Sequence, residues 1–324
     1  MTAVEEHSQD GDRECRTTTP PPFSINRLVA LHSRERLLVH PLRWSDRQLS
    51  LLQCRFHSRG EGGRAESMPM EYLGGVRPSA QEARRCARRL ARPVDWWTLI
   101  DLVLDLLESV SDTASMDNSR TVQLHFNRRP CATFGYCHIE LYTAPPDLKY
   151  IEFACFDIYA PARQRREYFK PPPDRLYATD NMPMVGRSRI LLRRHTPRNR
   201  RKDPYLVALI IALAQEQRRD ATKQPFPLSS FTVRLLFLGE GIPIPLLLYV
   251  AHVQGSFLDM LDYPDREPSV NPGLDIHCWR IPAKPYDTLA QRLVRALRTD
   301  CCGEMHDAGE GNDAARALPQ VPTT

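Results

Sequence analysis

The densest chemistry in the chain lies between Arg187 and Lys202, where seven arginines and one lysine stand within sixteen residues. A guanidinium is permanently charged and presents a rigid fork of donors that matches phosphate oxygens. Arg193, Arg194, Arg198, Arg200, Arg201 and Lys202 are therefore the candidate binding residues for a polyanion, through contacts that fix position without reading base sequence. The stretch Arg198-Asn199-Arg200-Arg201-Lys202 would also serve as a nuclear-import signal. The plainer reading is a solvated arginine-rich loop. Only Tyr168, Phe169 and Tyr177 stand near it for base stacking, so single-strand recognition is not indicated.

A second set joins His138 and Glu140, two residues apart on an alternating stretch and so on one face of a strand, with His125 on the strand before. Two imidazoles and a carboxylate can hold a transition metal. The competing reading is a polar strand face alternating with Ile139 and Leu141. The nine cysteines lack the two tight ligand pairs of a structural zinc site: Cys131 and Cys137 are six apart, and Cys301-Cys302 is an adjacent pair. Gly239-Glu240-Gly241 lacks the lysine and following helix of a phosphate loop.

Composition bounds these readings. At 324 residues and 42% apolar, the chain can bury a real core in one large domain or two small ones. Its net charge of +5 hides a skew: residues 160–202 hold 13 basic side chains against three acids. That is the footprint of a polyanion partner. Yet 39 of the 44 basic residues are arginine, a bias that a GC-rich gene produces whatever its product does. An odd number of cysteines and no apolar leader in residues 1–16 point to a reducing intracellular compartment, cytoplasmic or nuclear.

The elements that must position these groups are organised around Asp203 to Gln217. Asp203 is a good N-cap and Pro204 suits the first helical position. Tyr205 to Ala214 carries no charge, which predicts a helix buried on every side. Ten apolar residues fall far short of the ~20 that cross a bilayer, so no membrane is expected. Val94 to Ser111 is a second helix, with an apolar stripe and an opposite edge of Asp101, Asp105 and Glu108. That edge is either solvated or paired with Arg84, Arg85, Arg88 and Arg89 of an arginine-rich helix, Ala80 to Leu90. Alternation places strands at Val122–Phe126, Tyr136–Thr143, Tyr150–Tyr159, Phe231–Leu238, Ile244–Val253 and Asp275–Ile281. Short helices are expected near Phe257–Leu261 and Tyr286–Arg298. Six prolines and weak periodicity make 161–202 read as a long irregular crossover.

Two resemblances follow. The Asp203-Pro204-Tyr205 helix with its Ala212-Leu213-Ala214-Gln215 end, the run Phe257 to Asp262 and the segment Arg280-Ile281-Pro282-Ala283-Lys284-Pro285-Tyr286 resemble a group of uncharacterised filamentous-fungal proteins over about residues 94–299. That group has no assigned activity to carry over. The element order αβββαβ is similar to the core of restriction-endonuclease-like nucleases. The similarity implies that Glu108, Glu140 and Glu152 would hold a divalent metal such as Mg for phosphoryl chemistry. Ala154 stands where that pattern has its lysine, and His138-Ile139-Glu140 replaces its Pro-Asp, which argues for a degenerate core.

The expectation is one α/β (α+β) domain over 80–300, with a mixed central sheet, a buried helix and an αβββαβ-like core order followed by a strand and a C-terminal helix. Residues 1–22 and 301–324 are expected to be disordered, and 23–79 is left open. The expected function is a binding protein with no complete catalytic set and no required cofactor. Its partner, protein or nucleic acid, would meet the basic segment; the alternative is the metal-dependent nuclease.

Overall fold

The computed structural model describes residues 24–59, 80–92, 94–110, 113–142, 151–171, 182–222, 228–238, 246–268 and 273–298. The expected disordered ends, the flexible loop expected from Gly60 to Gly75, and Gly239-Glu240-Gly241 lie outside these residues.

Seven strands form one mixed sheet: β1 Cys54–Arg59, β2 Thr113–Phe126, β3 Arg129–Tyr142, β4 Ile151–Asp157, β5 Ser230–Leu238, β6 Leu246–Gln254 and β7 Leu274–Ile281. Their order across the sheet is β1-β7-β6-β5-β4-β3-β2. Only β1/β7 and β4/β5 are parallel; the other neighbours are antiparallel. A parallel pair needs a crossover. Between β4 and β5 it is built from helices α5 Ala160–Tyr168, α6 Met182–His195 and α7 Pro204–Ala221.

One apolar layer is organised on α7. Asp203 caps it by accepting from the Tyr205 N–H at 2.9 Å, and residues 204–215 are all buried. Such a helix needs cover on its outer side as well as a sheet beneath it. The sheet gives it Val122, Phe134, Phe156, Val233 and Phe237. The outer cover comes from helix α1 Ile25–Leu31, helix α2 Asp46–Leu51 and the turns between them, through Ile25, Leu37, Leu42, Trp44 and Leu49. Residues 24–59 thus belong to the same core and supply its edge strand β1.

The opposite sheet face is covered by α3 Ala80–Leu90, α4 Trp96–Glu108 and α9 Leu289–Arg298, packed on Cys137, Ile139, Phe153, Cys155 and Leu248. Asp95 starts α4 by accepting from the N–H groups of Trp97 and Thr98. Helix α8, Gly255–Asp262, follows β6 directly.

Two expectations need correction. Segment 161–202 is not irregular throughout, since among the described residues α5 and α6 occupy most of it. Pro161 and Pro183 sit in the first turns of these helices, where a missing N–H breaks no hydrogen bond. Strands β2 and β3 are also longer than alternation shows, running to a two-residue turn at Asn127 and Arg128 with φ of 48° and 60°. The missed part of β2 is exposed polar sequence on the edge strand, where no burial imposes a pattern, whereas in the missed part of β3 Ala132 and Phe134 are buried between exposed neighbours.

Candidate functional site

Helix α6 carries the basic run to the N-terminal end of α7. There an open groove of about 830 Å³ lies between α6 and the Trp44–Asp46 segment that starts α2. Arg189, Arg193 and Arg194 reach it from the last turns of α6 and Arg198 from the turn beyond, while Trp44 and Pro204 form part of its floor. All four arginines are exposed, and none makes an ion pair among the described residues. Asp46 is the one acid in the lining.

The floor is fixed by its own hydrogen bonds. Trp44 donates its indole N–H to the Val39 carbonyl at 3.0 Å and is buried, so its ring is a wall rather than a mobile lid. Ser45 caps α2 in a reciprocal box with Gln48, whose Oε1 accepts from the Ser45 N–H at 2.9 Å. His195 lies stacked on Phe169 with ring centroids 5.3 Å apart. Burial, with Arg43 and Arg194 adding, holds its imidazole below the ordinary histidine range. Its Nδ1 is shielded from solvent without a hydrogen-bond partner among the described residues.

The remaining basic candidates continue the same ridge. Arg200, Arg201 and Lys202 form a 3₁₀ turn capped by Asn199, whose side chain accepts from the Arg201 N–H at 3.0 Å. Arg200 lies over the Tyr159 ring at 5.3 Å, and the Arg201 carbonyl accepts from the Tyr249 hydroxyl at 2.8 Å. Arg193, Arg194 and Arg198 therefore share the groove, while Arg200, Arg201 and Lys202 do not line it. Two arginines of the basic segment are not available to a partner in the same way. Arg165 is fully buried against Asp203, and Arg163 pairs with Asp157.

Of the three carboxylates of the nuclease reading, two are cross-strand neighbours and the third lies apart. Glu140 and Glu152 are register partners on β3 and β4 and face the α7 layer, where Gln217 Nε2 donates to Glu152 Oε1 at 2.7 Å. Glu108 is exposed on α4, across the sheet from both. The groove arginines are no closer. Gln217 is thirteen residues along α7 from Pro204, about 20 Å at helical rise. The metal triad also comes apart. His138 Nε2 is 3.2 Å from Glu140 Oε1, but His125 lies opposite Pro130, eight residues down β3, about 27 Å away. Tyr142 donates to Glu140 at 2.8 Å, and this bond is the main reason that the Glu140 carboxyl is held below its usual range. No group of three or more His, Cys, Asp or Glu suited to a metal occurs among the described residues.

The acidic edge Asp101, Asp105 and Glu108 makes no ion pair with the arginines of α3 among the described residues; Arg84 pairs instead with Asp287 at 3.0 Å. Sequence reasoning missed Trp44, Asp46 and His195. The Ser45-x-x-Gln48 spacing is a capping box that would have located α2, but nothing local ties it to residues 150 positions away.

The architecture defines an α/β protein with helices on both faces of a seven-stranded mixed sheet. No helix among the described residues is long and apolar enough to cross a membrane. No protein-family model matches the chain, and neither does any curated protein or solved structure.

Proposed function

We propose that this chain is a non-catalytic binding protein that holds a phosphate-bearing polyanion, a nucleic-acid backbone, in the groove between α6 and the Trp44–Asp46 segment. The observation that carries this reading is the convergence of Arg189, Arg193, Arg194 and Arg198 on one concavity with no ion-pair partner among the described residues. Asp46 is the one acid in a lining that holds four guanidiniums. The contacts available are to phosphate, so sequence selectivity is not expected. An intracellular setting, cytoplasmic or nuclear, goes with this reading and with six unpaired cysteines among the described residues.

The test is retention of the full chain on a short DNA duplex across a salt series. Four phosphate contacts would make log K fall with log salt at a slope of about −3.6. The variant R193E/R194E/R198E should be retained less than the parent at each salt concentration while melting like it. A parent chain that is not retained at low salt, or a variant retained equally well, rejects the groove.

A further inference from the structure

Helix α3 carries a second arginine surface, on the other side of the sheet from the α6 groove. Its buried stripe of Ala83, Cys86, Ala87 and Leu90 packs in the α4–α9 layer. Its outward face is a shallow depression of about 470 Å³ lined by Gln81, Arg84, Arg85, Arg88, Arg89 and Arg92. Four of these five guanidiniums stand on the helix between Arg84 and Arg89, and Arg92 lies just beyond its end. Arg84 is held by Asp287 at 3.0 Å, whereas Arg85, Arg88, Arg89 and Arg92 make no ion pair among the described residues. Glu82 on the same helix and Asp105 of α4 lie beside Cys86, at the inner margin of the row.

We propose that this face is a second, independent site for the phosphate backbone of a nucleic acid, so that one copy of the chain joins two nucleic-acid segments held on opposite sides of its sheet. This rests on the polyanion reading of the α6 groove for its first segment. The lining decides the class of partner. A folded acidic protein would need an apolar centre with aromatic anchors to bury, and no apolar side chain lines this depression. A row of guanidiniums with a single amide fits a repeating phosphate chain. The Arg84 to Arg92 row and the α6 groove belong to layers separated by the whole sheet, so the two surfaces do not merge into one footprint.

The experiment tethers one duplex to beads and offers a second, fluorescent duplex with the full chain at about 50 mM salt, where phosphate contacts are strongest. The parent should carry the second duplex to the beads. R85E/R88E/R89E should still bind a single duplex but lose bridging at least about tenfold, because its α6 groove is intact. R193E/R194E/R198E should do the same through α3 alone, and the six-fold variant should bind nothing. The corresponding glutamine variants, which keep helix propensity, report the same losses where charge reversal disturbs folding. Bridging by the α3 variant equal to the parent's overturns the inference. Self-association of the chain would give that outcome, since joined copies need one surface each. Binding lost in the α6 variant and untouched in the α3 variant, with no bridging by the parent, leaves the groove standing and removes the second site. Binding lost only in the α3 variant removes the groove instead. Capture of polyglutamate on α3 in place of duplex overturns the choice of partner.

Discussion

The guanidinium of Arg165 grips the carboxylate of Asp203 through two parallel hydrogen bonds, Nη1 to Oδ2 at 2.6 Å and Nη2 to Oδ1 at 2.5 Å, with both side chains fully buried. The same carboxylate accepts from the Tyr205 N–H to start α7, and Arg165 Nε donates to the Leu42 carbonyl at 3.2 Å. One pair thereby ties α5, the turn before α2 and the central helix into a single junction beneath the candidate groove. Removing one partner strands the other charge away from water. R165M should cost about 3–5 kcal/mol in urea unfolding, and R165M together with D203L should cost less than R165M alone. A single variant within about 1 kcal/mol of the parent would show that the junction does not depend on the pair.

Helix α7 tolerates no charge in its middle. Leu209 is completely buried between the sheet and the N-terminal segment. L209A should lose about 2–5 kcal/mol, and L209D should abolish cooperative unfolding because a carboxylate there has no partner. The readout is the urea transition followed by far-ultraviolet circular dichroism. An aspartate variant that melts like the parent contradicts the packing described.

Polyanion binding should strengthen below neutral pH through His195. Its imidazole is kept neutral first by burial and then by Arg43 and Arg194, with Arg165 also unfavourable to the charged form and the Arg43 backbone opposing them. The depressed folded value makes the unfolded chain bind the proton more readily, so this histidine's share of folding stability is full above pH 6.5 and lost as pH falls through the folded value. A bound phosphate backbone favours the charged ring, so binding should be accompanied by proton uptake in that same window. H195Q should flatten the pH dependence of affinity while leaving affinity at pH 8 unchanged. An unaltered pH profile in H195Q excludes the histidine from the groove's function.

The thiols should separate sharply by burial. Cys137 and Cys155 are register partners on β3 and β4, both buried, and burial pushes the Cys155 thiol well above its ordinary value and Cys137 up to about 11. Cys54, also buried, is raised mainly for the same reason. Only the thiolate reacts. A brief maleimide pulse on the native chain, read by mass spectrometry, should modify exposed Cys131 and spare Cys54, Cys137 and Cys155 until denaturant is added. Native labelling of Cys155 at a rate like that of Cys131 would mean that the sheet opens far more readily than its packing implies.

What the sequence determined by itself was whatever a local pattern dictates. The Asp203-Pro204 start and uncharged run made α7 legible as a buried helix, the 3- and 4-residue steps from Trp96 to Val110 made α4 legible, and alternation marked six strands in whole or in part. Such signals exist because burial against one neighbour repeats at the period of the element. They fade where burial is absent or shared: the exposed first half of β2, the arginine-rich α5 and α6, and the six- and seven-residue helices of the N-terminal segment. Only the tertiary structure decided which charges meet. It put Glu108 across the sheet from Glu140 and Glu152, and took Arg165 out of the basic segment to hold Asp203. It also set Trp44 opposite Arg193, about 150 positions later in the chain. The physical reason is that a charge carries no periodicity of its own; its worth depends on what lies within a few ångströms, and chain folding alone sets that distance.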